Sequence, residues 1–231
     1  MRMAARIAAA FLLSGAAWAA EAPPNTLTSQ EKAQGWRLLF DGKTTNGWRG
    51  YKKDKMPDGW KVEDGALARV GGGGDIITVD QFESFELSLE WKISEGGNSG
   101  IMYHVTEDCG APYETGPECQ VLDNAKHGDG KNPLTSAGAC YALYPPVKDV
   151  TKPVGEWNVA RIVCKGAHVE HWLNGVKLLE YENGSADWNG KVAASKFKAW
   201  PKFGRNTKGH IDLQDHGDRV WYRNIKIREL K

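Results

Sequence analysis

Regular alternation of apolar and polar residues constrains the fold of this chain more than any other feature. Between Phe85 and Ile93 apolar residues alternate with charged or hydroxyl-bearing ones, the period of a strand with one buried face. Residues 157–164 alternate in the same way, and residues 220–230 predict another strand. Asn174-Gly175 separates two short apolar runs and fits the type I′ turn of a β-hairpin. These segments predict antiparallel sheet.

Helical patterns are scarce in the remaining sequence. Residues 187–197 predict one short helix, with Ser185 or Asp187 as its N-cap. Gly71–Gly74 is a glycine-rich loop without the spacing of a phosphate-binding motif. The chain has no internal repeat and no central linker. Many short strands with little helix predict an all-β fold built as one β-sandwich.

The N-terminus has the pattern of an export signal. Arg2 and Arg6 precede an apolar stretch from Ile7 to Leu13, and Ala17-Trp18-Ala19 is a small-x-small cleavage site. The apolar stretch is shorter than the roughly 20 residues that a membrane-spanning helix needs. We therefore expect a periplasmic or secreted protein. The expected organisation is a signal peptide at 1–19, an exposed lead-in at 20–35 and a single β-sandwich at 36–231.

The charge balance of the mature chain argues against two classes of partner. Removing the two arginines of the signal from the 30 basic residues leaves 28 against 29 acidic residues, a net charge of −1. A near-neutral chain has no electrostatic basis for binding nucleic acid or an anionic membrane. We expect neither as a partner.

Four cysteines, at positions 109, 119, 140 and 164, belong to the mature chain. An even number allows two disulfides in an oxidising compartment, and buried free thiols are the alternative. Cys119 and Cys140 are predicted to lie on adjacent strands, where a bridge between them is one outcome.

The segment 113–127 is the richest in groups that transfer protons or bind ligands. If residues 118–122 form a strand, Glu118 and Gln120 share one face and reach the same ligand. We expect that face to point to solvent. Asp123 and His127 follow where the strand passes into a polar loop. The alternative is a plain solvent-facing strand with a turn after it.

A second polar cluster follows residue 209, where Gln214 and His216 share one face of a predicted strand. Asn98 lies in a tight polar turn, and His104 is expected to reach a site from the neighbouring strand. Ten tryptophans are an unusually high number, and aromatic planes pack against the C–H faces of sugar rings. Most of them are expected in the core, while Trp200, in a polar loop, is the expected stacking platform. This composition favours a carbohydrate ligand.

Several motifs occur in an order that resembles a known family. They are Leu39-Phe40-Asp41-Gly42-Lys43, Gly47-Trp48, Gly97-Asn98-Ser99-Gly100-Ile101, Glu118-x-Gln120-Val121-Leu122-Asp123, Gly155-Glu156-Trp157-Asn158, His171-Trp172-Leu173-Asn174-Gly175, Leu213-Gln214-x-His216-Gly217 and Arg223-Asn224-Ile225. Together they resemble the 3-keto-disaccharide hydrolases, a family of 3-keto-glucoside lyases and 3-keto-glucal hydratases, over residues 36–230. The resemblance implies a concanavalin-like jelly-roll sandwich and a periplasmic role downstream of a sugar 3-oxidoreductase. His104 stands where members often have arginine.

The implied substrate, an oligosaccharide or glycoside with a ketone at carbon 3, sets the chemistry. The ketone acidifies the hydrogen on carbon 2, so a base removes it and the glycosidic oxygen leaves carbon 1. Such a site needs a base, an acid and donors for the enolate oxygen. Glu118 is expected to act as base or acid, with His127 or His216 as its complement. Gln120 and Gln214 are expected to bind hydroxyl groups or the enolate, and Asp123 is expected to orient a histidine. A divalent metal would serve as Lewis acid, but no ligand spacing assigns one and no cofactor is certain.

Two other classes of function fit parts of the pattern. Glu118, Gln120 and Asp123 have the spacing of the carboxylates of laminarinase-type glycosidases, which use two carboxyl groups about 5 Å apart. Gln120 replaces one of those carboxylates, which disfavours conventional hydrolysis. A non-catalytic sugar-binding module on the same fold would need the tryptophans and amides but not the acid and base groups.

Overall fold

A computed structural model describes residues 23–231 of the chain. The predicted signal peptide and the first residues of the lead-in lie outside the described residues. The remaining lead-in is largely exposed and contains a short helix, α1 (Ser29–Ala33), whose N-terminus is closed by a capping box between Thr28 and Glu31. No helix in this part of the chain is long and apolar enough to span a membrane.

Strands provide most of the regular structure of residues 23–231. They are β1 (Arg37–Leu38), β2 (Trp48–Gly50), β3 (Trp60–Glu63), β4 (Ala66–Arg69), β5 (Ile76–Thr78), β6 (Phe85–Ile93), β7 (Asn98–Val105), β8 (Glu118–Leu122), β9 (Asn158–Lys165), β10 (His168–Leu173), β11 (Val176–Glu182), β12 (His210–Leu213) and β13 (Val220–Glu229). An eight-stranded sheet has the order β11-β10-β9-β6-β13-β4-β3, with β1 also paired to β13, and a five-stranded sheet has the order β2-β5-β12-β7-β8. The predicted all-β sandwich is confirmed.

The core lies between the two sheets. Leu87, Leu89 and Trp91 of β6 enter it from the larger sheet, while Ile101 of β7 and Val121 of β8 enter it from the smaller one. Their partners along each strand point outward because successive side chains alternate between faces. The outer face of the five-stranded sheet carries polar residues together with a small apolar cluster of Ile77, Met102 and Val105.

The predicted helix is shorter than the sequence pattern suggested. Helix α2 (Ala186–Ala194) is capped by the Ser185 side chain, which accepts a hydrogen bond from the Trp188 N–H, as predicted for one of two candidate caps. Ser195 ends the helix because its backbone is extended and its side chain accepts from the Phe197 N–H instead. A 3₁₀ turn then covers Lys196–Ala199.

Cys119 and Cys140 pair across adjacent chain segments, as predicted. All four cysteines are nevertheless free thiols, so the alternative of a bridge between these two is wrong for this structure. Burial raises the pKa of the Cys140 thiol to about 12, which keeps it protonated and unreactive at neutral pH.

Candidate active site

A cavity of about 350 Å³ lies over the outer face of the five-stranded sheet. Cys119, Val121 and Ile211 point into the core, so the alternate residues of β8 and of the segment after β12 face the cavity. The structure brings together six of the residues singled out from the sequence: Asn98, Glu118, Gln120, Trp200, Gln214 and His216.

Glu118 lies at the centre of this cavity, above the backbone of β7. A Cβ atom on Gly100 would lie 2.3 Å from Oε1 of Glu118, so the missing side chain of Gly100 creates the space that the carboxyl group fills. Neither carboxyl oxygen has a hydrogen-bond partner among the described residues.

The expectation that Glu118 points to solvent is wrong, because only 8% of the residue is exposed. Residues 138–141 pair with β8, which is the edge strand of the five-stranded sheet. The Tyr141 N–H donates to the Glu118 carbonyl at 3.1 Å, and the Gln120 N–H donates to the Ala139 carbonyl at 3.1 Å. This long-range cover of the edge is what buries the carboxyl group.

Burial raises the pKa of Glu118 to about 8, with Asp75 and Asp129 adding repulsion and Lys196 opposing the rise. Removal of a carboxylate from water disfavours its charged form, and here no hydrogen-bond donor compensates. A carboxyl group whose pKa lies near the working pH suits proton transfer.

Amide oxygens that accept no hydrogen bond lie around Glu118. The Gln120 Nε2 donates to the Thr135 carbonyl at 3.1 Å, which turns Oε1 away from that loop. This oxygen, Oδ1 of Asn98 and Oε1 of Gln214 are buried and unpaired. Unpaired buried acceptors cost about 1–3 kcal/mol each, so a ligand rich in O–H donors is favoured here.

An aromatic wall closes one side of the cavity. Its support is a run of stacked rings, Tyr181 on Trp188 at 4.8 Å, Trp188 on Phe203 at 5.9 Å and Phe203 on Phe197 at 3.9 Å between centroids. This run continues from β11 through α2 and ends beside Trp200, 5.9 Å from Phe197. The helix and its 3₁₀ turn thereby hold an aromatic platform over the sheet.

Lys196 and Tyr141 line the same wall and were not singled out from the sequence. The Lys196 ammonium lies 4.4 Å from the centre of the Tyr141 ring, a cation–π distance. Lys196 has no carboxylate within 4.0 Å in the described chain, so its charge is available to a ligand. No local pattern pointed to it, because it reaches the cavity through the packing of α2.

Asp75 is a second carboxyl group in the cavity that sequence reasoning missed. It directly precedes β5, and the Asp215 N–H donates to its Oδ1 at 2.8 Å. Asp215 is itself held by Arg69 at 2.7 Å and by the Gly74 N–H at 3.0 Å. Burial raises the pKa of Asp75 to about 6. The residue comes from a loop about 40 positions away in sequence, so no spacing rule connects it to Glu118.

Three residues expected at the site lie elsewhere. The Nδ1 of His127 accepts from the Asp129 N–H at 3.1 Å and caps a 3₁₀ turn. Asp123 accepts from the Gly96 N–H at 2.8 Å and the Ala125 N–H at 3.0 Å, so it closes a turn and orients no histidine. His127 and Asp123 are therefore turn residues outside the cavity.

His104 also points away from the cavity. Its backbone has a φ of +54°, and the pairing of β12 with β7 shifts register beside it. This irregularity breaks the alternation on which the expectation rested. The imidazole is buried, with Nε2 2.8 Å from the Glu83 carbonyl and its ring 5.6 Å from that of Phe85. The position gives no support to a role in substrate binding.

One group of three potential metal ligands occurs among the described residues, and it lies outside the cavity. His168, Glu170 and Glu180 have donor atoms within 4.8 Å of one another. Glu180 already pairs with Lys177 at 2.7 Å, and His168 contacts Glu182 at 2.6 Å. The group is thus an exposed ion-pair network. The amide and carboxyl oxygens of the cavity are of the type that hard divalent cations take, but no such three-ligand group is preformed there.

Comparison with known proteins places the chain in a family. The sequence model of the 3-keto-alpha-glucoside-1,2-lyase-like domain matches residues 35–228. The chain belongs to this family. A 3-keto-disaccharide hydrolase of Bacteroides thetaiotaomicron is 41% identical over 230 residues, covering 86% of this chain and 79% of that protein.

Solved structures share the fold of this chain. The crystal structure of a candidate glycosyl hydrolase from Parabacteroides distasonis has 40% identity and a TM-score of 0.85, covering 90% of this chain and 100% of that one. A β-glucanase of Bacillus licheniformis has a TM-score of 0.52 at 10% identity, over 85% of this chain and 97% of that one. The second likeness shows the fold alone. The predicted family and the predicted jelly-roll class are confirmed.

Proposed function

We propose that this protein cleaves 3-keto-glycosides, with 3-keto-disaccharides as the central substrate class, by elimination followed by hydration. The carrying observation is Glu118, a buried carboxyl group without a hydrogen-bond partner, whose pKa is raised to about 8 at the centre of the cavity. The similarity to the Bacteroides relative, a 3-keto-disaccharide hydrolase, supports the substrate class.

The other groups of the cavity match the needs of that reaction. Removal of the carbon-2 hydrogen leaves negative charge on the carbonyl oxygen at carbon 3, and the free ammonium of Lys196 would stabilise it electrostatically. The unpaired oxygens of Asn98, Gln120 and Gln214 would accept hydrogen bonds from sugar hydroxyls. Trp200 would carry the apolar face of a ring, and His216 lies exposed at the rim, where it would contact the leaving group.

Elimination followed by addition of water gives the products of hydrolysis. The glycosidic oxygen departs from carbon 1 as a double bond forms between carbons 1 and 2. Water then adds across that bond, so the net change is hydrolysis without an oxocarbenium ion. A parent glycoside without the ketone has no acidic hydrogen on carbon 2 and would not react by this route.

The proposed role includes a compartment and a preceding reaction. The arginines, apolar stretch and cleavage pattern of residues 1–19 support export to the periplasm or outside the cell. A 3-keto-glycoside arises by oxidation of the hydroxyl on carbon 3, so an oxidoreductase acting on sugars must supply the substrate. We expect no nucleic-acid or membrane partner.

The test compares a 3-keto-glucoside with its parent glucoside, both incubated with the purified protein. We expect cleavage of the 3-keto-glucoside and no cleavage of the parent glucoside. Glu118→Gln should lose this activity, whereas Glu156→Gln, a control at an exposed loop position, should keep it. In heavy water the released sugar should carry deuterium on carbon 2, above the level in free 3-keto-glucose incubated with the protein.

The outcomes separate the alternatives. Equal turnover of both glycosides would indicate a conventional glycosidase, and sugar binding without turnover would indicate a binding module. Retention of the original hydrogen on carbon 2, with no trapped unsaturated intermediate, would indicate direct displacement at carbon 1.

A further inference from the structure

Two of the carboxyl groups that line the cavity, those of Asp75 and Glu118, lie along one row of the five-stranded sheet. The pairing of Ile76 with Leu213 places Asp75 opposite Gln214, and the Gln214 N–H donates to the Gly100 carbonyl at 3.0 Å. The carboxyl group of Glu118 fills the space above Gly100. Asp75 therefore lies directly before β5, and the carboxyl group of Glu118 lies above β7, two strands away. Neighbouring strands are about 4.8 Å apart, so the separation leaves room for a pyranose ring between the two groups.

Asp75 is held in place independently of Glu118. Its Oδ1 accepts from the Asp215 N–H, whereas Oδ2 has no hydrogen-bond partner among the described residues. The ion pair of Arg69 with Asp215 joins β4 of the larger sheet to the segment after β12. One oxygen of Asp75 is thus anchored while the other faces the cavity, the arrangement of a positioned proton acceptor.

The surroundings give the two carboxyl groups different proton affinities. Burial raises the pKa of Asp75 to about 6, with the hydrogen bond from the Asp215 N–H opposing the rise and the Asp215 charge adding to it. Burial raises the pKa of Glu118 to about 8, with Lys196 opposing the rise and Asp75 and Asp129 adding to it. Near pH 7 Asp75 is mostly ionised and Glu118 mostly neutral. Separated proton affinities of this kind assign a base and an acid.

A further carboxyl group lies on the strand between them. Asp212 is fully buried on β12, and neither of its side-chain oxygens has a partner. Burial raises its pKa well above the ordinary value, with repulsion from Asp75 and Glu118 adding to the rise. The raised pKa favours the neutral form of Asp212, so this group does not reverse the difference in proton affinity between Asp75 and Glu118.

We infer that Asp75 is the base that removes the carbon-2 hydrogen and Glu118 the acid that protonates the leaving oxygen, an assignment that rests on the proposed function. The Asp75 carboxylate takes the proton, and the C–H electron pair becomes an enolate with its charge on the oxygen at carbon 3. The enolate then re-forms the ketone, the pair shifts to a double bond between carbons 1 and 2, and the C1–O bond breaks. Glu118 gives its proton to the departing oxygen.

Addition of water resets both groups. Glu118, now ionised, accepts a proton from the water that attacks carbon 1. Asp75, whose proton has exchanged with solvent between the two steps, delivers a proton to carbon 2, which in heavy water is a deuteron. Each carboxyl group ends in its starting protonation state, and no oxidant, reductant or further reactant enters. The pair thus serves the elimination and the hydration in the same positions.

The test separates the roles by leaving group and by hydrogen exchange. The substrates are the 3-keto derivatives of methyl glucoside and of 4-nitrophenyl glucoside, whose phenolate needs little protonation to leave. The third compound is a 1-deoxy-3-keto sugar, which has no leaving group at carbon 1. Exchange of its carbon-2 hydrogen with heavy water, read by NMR separately from exchange at carbon 4 on the other side of the ketone, reports the base step alone. The variants are Asp75→Asn, Glu118→Gln and the exposed control Asp58→Asn, with Asp75→Ser as a second base variant and thermal unfolding recorded for each.

Glu118→Gln should lose about 10²–10⁴-fold in kcat on the methyl glycoside, far less on the nitrophenyl glycoside, and should still catalyse exchange. Both Asp75 variants should lose activity on both glycosides and lose exchange, while Asp58→Asn matches the wild type. If a folded Asp75 variant exchanges the carbon-2 hydrogen as the wild type does, the assignment of the base is overturned while the proposed function stands. A wild-type protein that turns over neither glycoside overturns the proposed function and this assignment with it.

Discussion

Gly100 controls the position of the Glu118 carboxyl group, and its replacement by alanine tests the geometry of the site. The added Cβ would lie 2.3 Å from Oε1, 2.8 Å from Cδ and 2.9 Å from Cγ of Glu118. Ordinary contacts of a Cβ begin at about 3.4 Å. The carboxyl group must therefore retreat by about 1 Å from its place above β7.

A displacement of about 1 Å in a reacting group costs about 10²-fold in rate, equivalent to about 2.7 kcal/mol of transition-state stabilisation. Gly100 lies in a strand and its φ is not in the left-handed region, so alanine fits the backbone. Replacing glycine at such a position restricts the unfolded chain and adds about 0.4–1 kcal/mol of stability, which offsets part of the strain. We expect a folded variant with a large loss of activity.

The assay is kcat/KM on a 3-keto-glucoside, together with thermal unfolding of the same preparation. Gly72→Ala is the matched control, because a Cβ there meets no atom within 4 Å and the backbone is not left-handed. Full activity in Gly100→Ala would refute the placement of Glu118 above Gly100. A lost unfolding transition would show instead that the strain is borne by the sheet.

Two further predictions follow from the same cavity. Because burial raises the folded-state pKa of Glu118 from 4.5 to about 8, the unfolded chain ionises first and wild-type stability falls as pH rises through that window. Glu118→Gln removes this penalty, so the free energy of unfolding in urea should be higher for the variant than for the wild type at pH 9. The difference should be on the order of 5 kcal/mol, since each pKa unit corresponds to about 1.4 kcal/mol. At pH 4 the two proteins should have the same free energy of unfolding. His216→Ala should lower kcat/KM, whereas His127→Ala, outside the cavity, should leave it unchanged. The reverse result for the two histidines would move the site toward the 3₁₀ turn that His127 caps.

Alternation along the chain predicted some of the strands that carry the site. Strand β12 ends at Leu213, so Gln214 and His216 follow it and do not lie on its face as predicted, and Asn98 begins β7 where a tight turn was predicted. Strand β8 has the predicted bounds, Glu118–Leu122, and the turn at Asn174-Gly175 joins β10 to β11 as expected. Both features depend on local patterns, a two-residue period and a turn dipeptide that accepts positive φ. The same reasoning placed Glu118 and Gln120 on one face, which the structure confirms.

Long-range contacts account for what the sequence could not predict. Asp75 reaches the cavity through the pairing of β5 with β12, and Lys196 reaches it through the stacked rings behind α2. His104 leaves the predicted face because a single residue of positive φ interrupts the alternation. For Asp75 and Lys196 the position of the side chain depends on a partner that is distant in sequence, and periodicity carries no information about such partners.

The buried, unpaired polar atoms of the cavity lower the stability of the folded protein, and this cost indicates which kind of ligand would bind there. The carboxyl group of Glu118 and the side-chain oxygens of Asn98, Gln120 and Gln214 are buried without donors, and each unpaired acceptor costs about 1–3 kcal/mol. An apolar ligand would leave that cost in place, and an anion would add repulsion. A neutral, hydroxyl-rich molecule supplies the missing donors while its C–H faces pack on Trp200. The unsatisfied oxygens therefore favour a sugar over other classes of small molecule, because hydrogen bonds from its hydroxyl groups offset the cost of burying these acceptors.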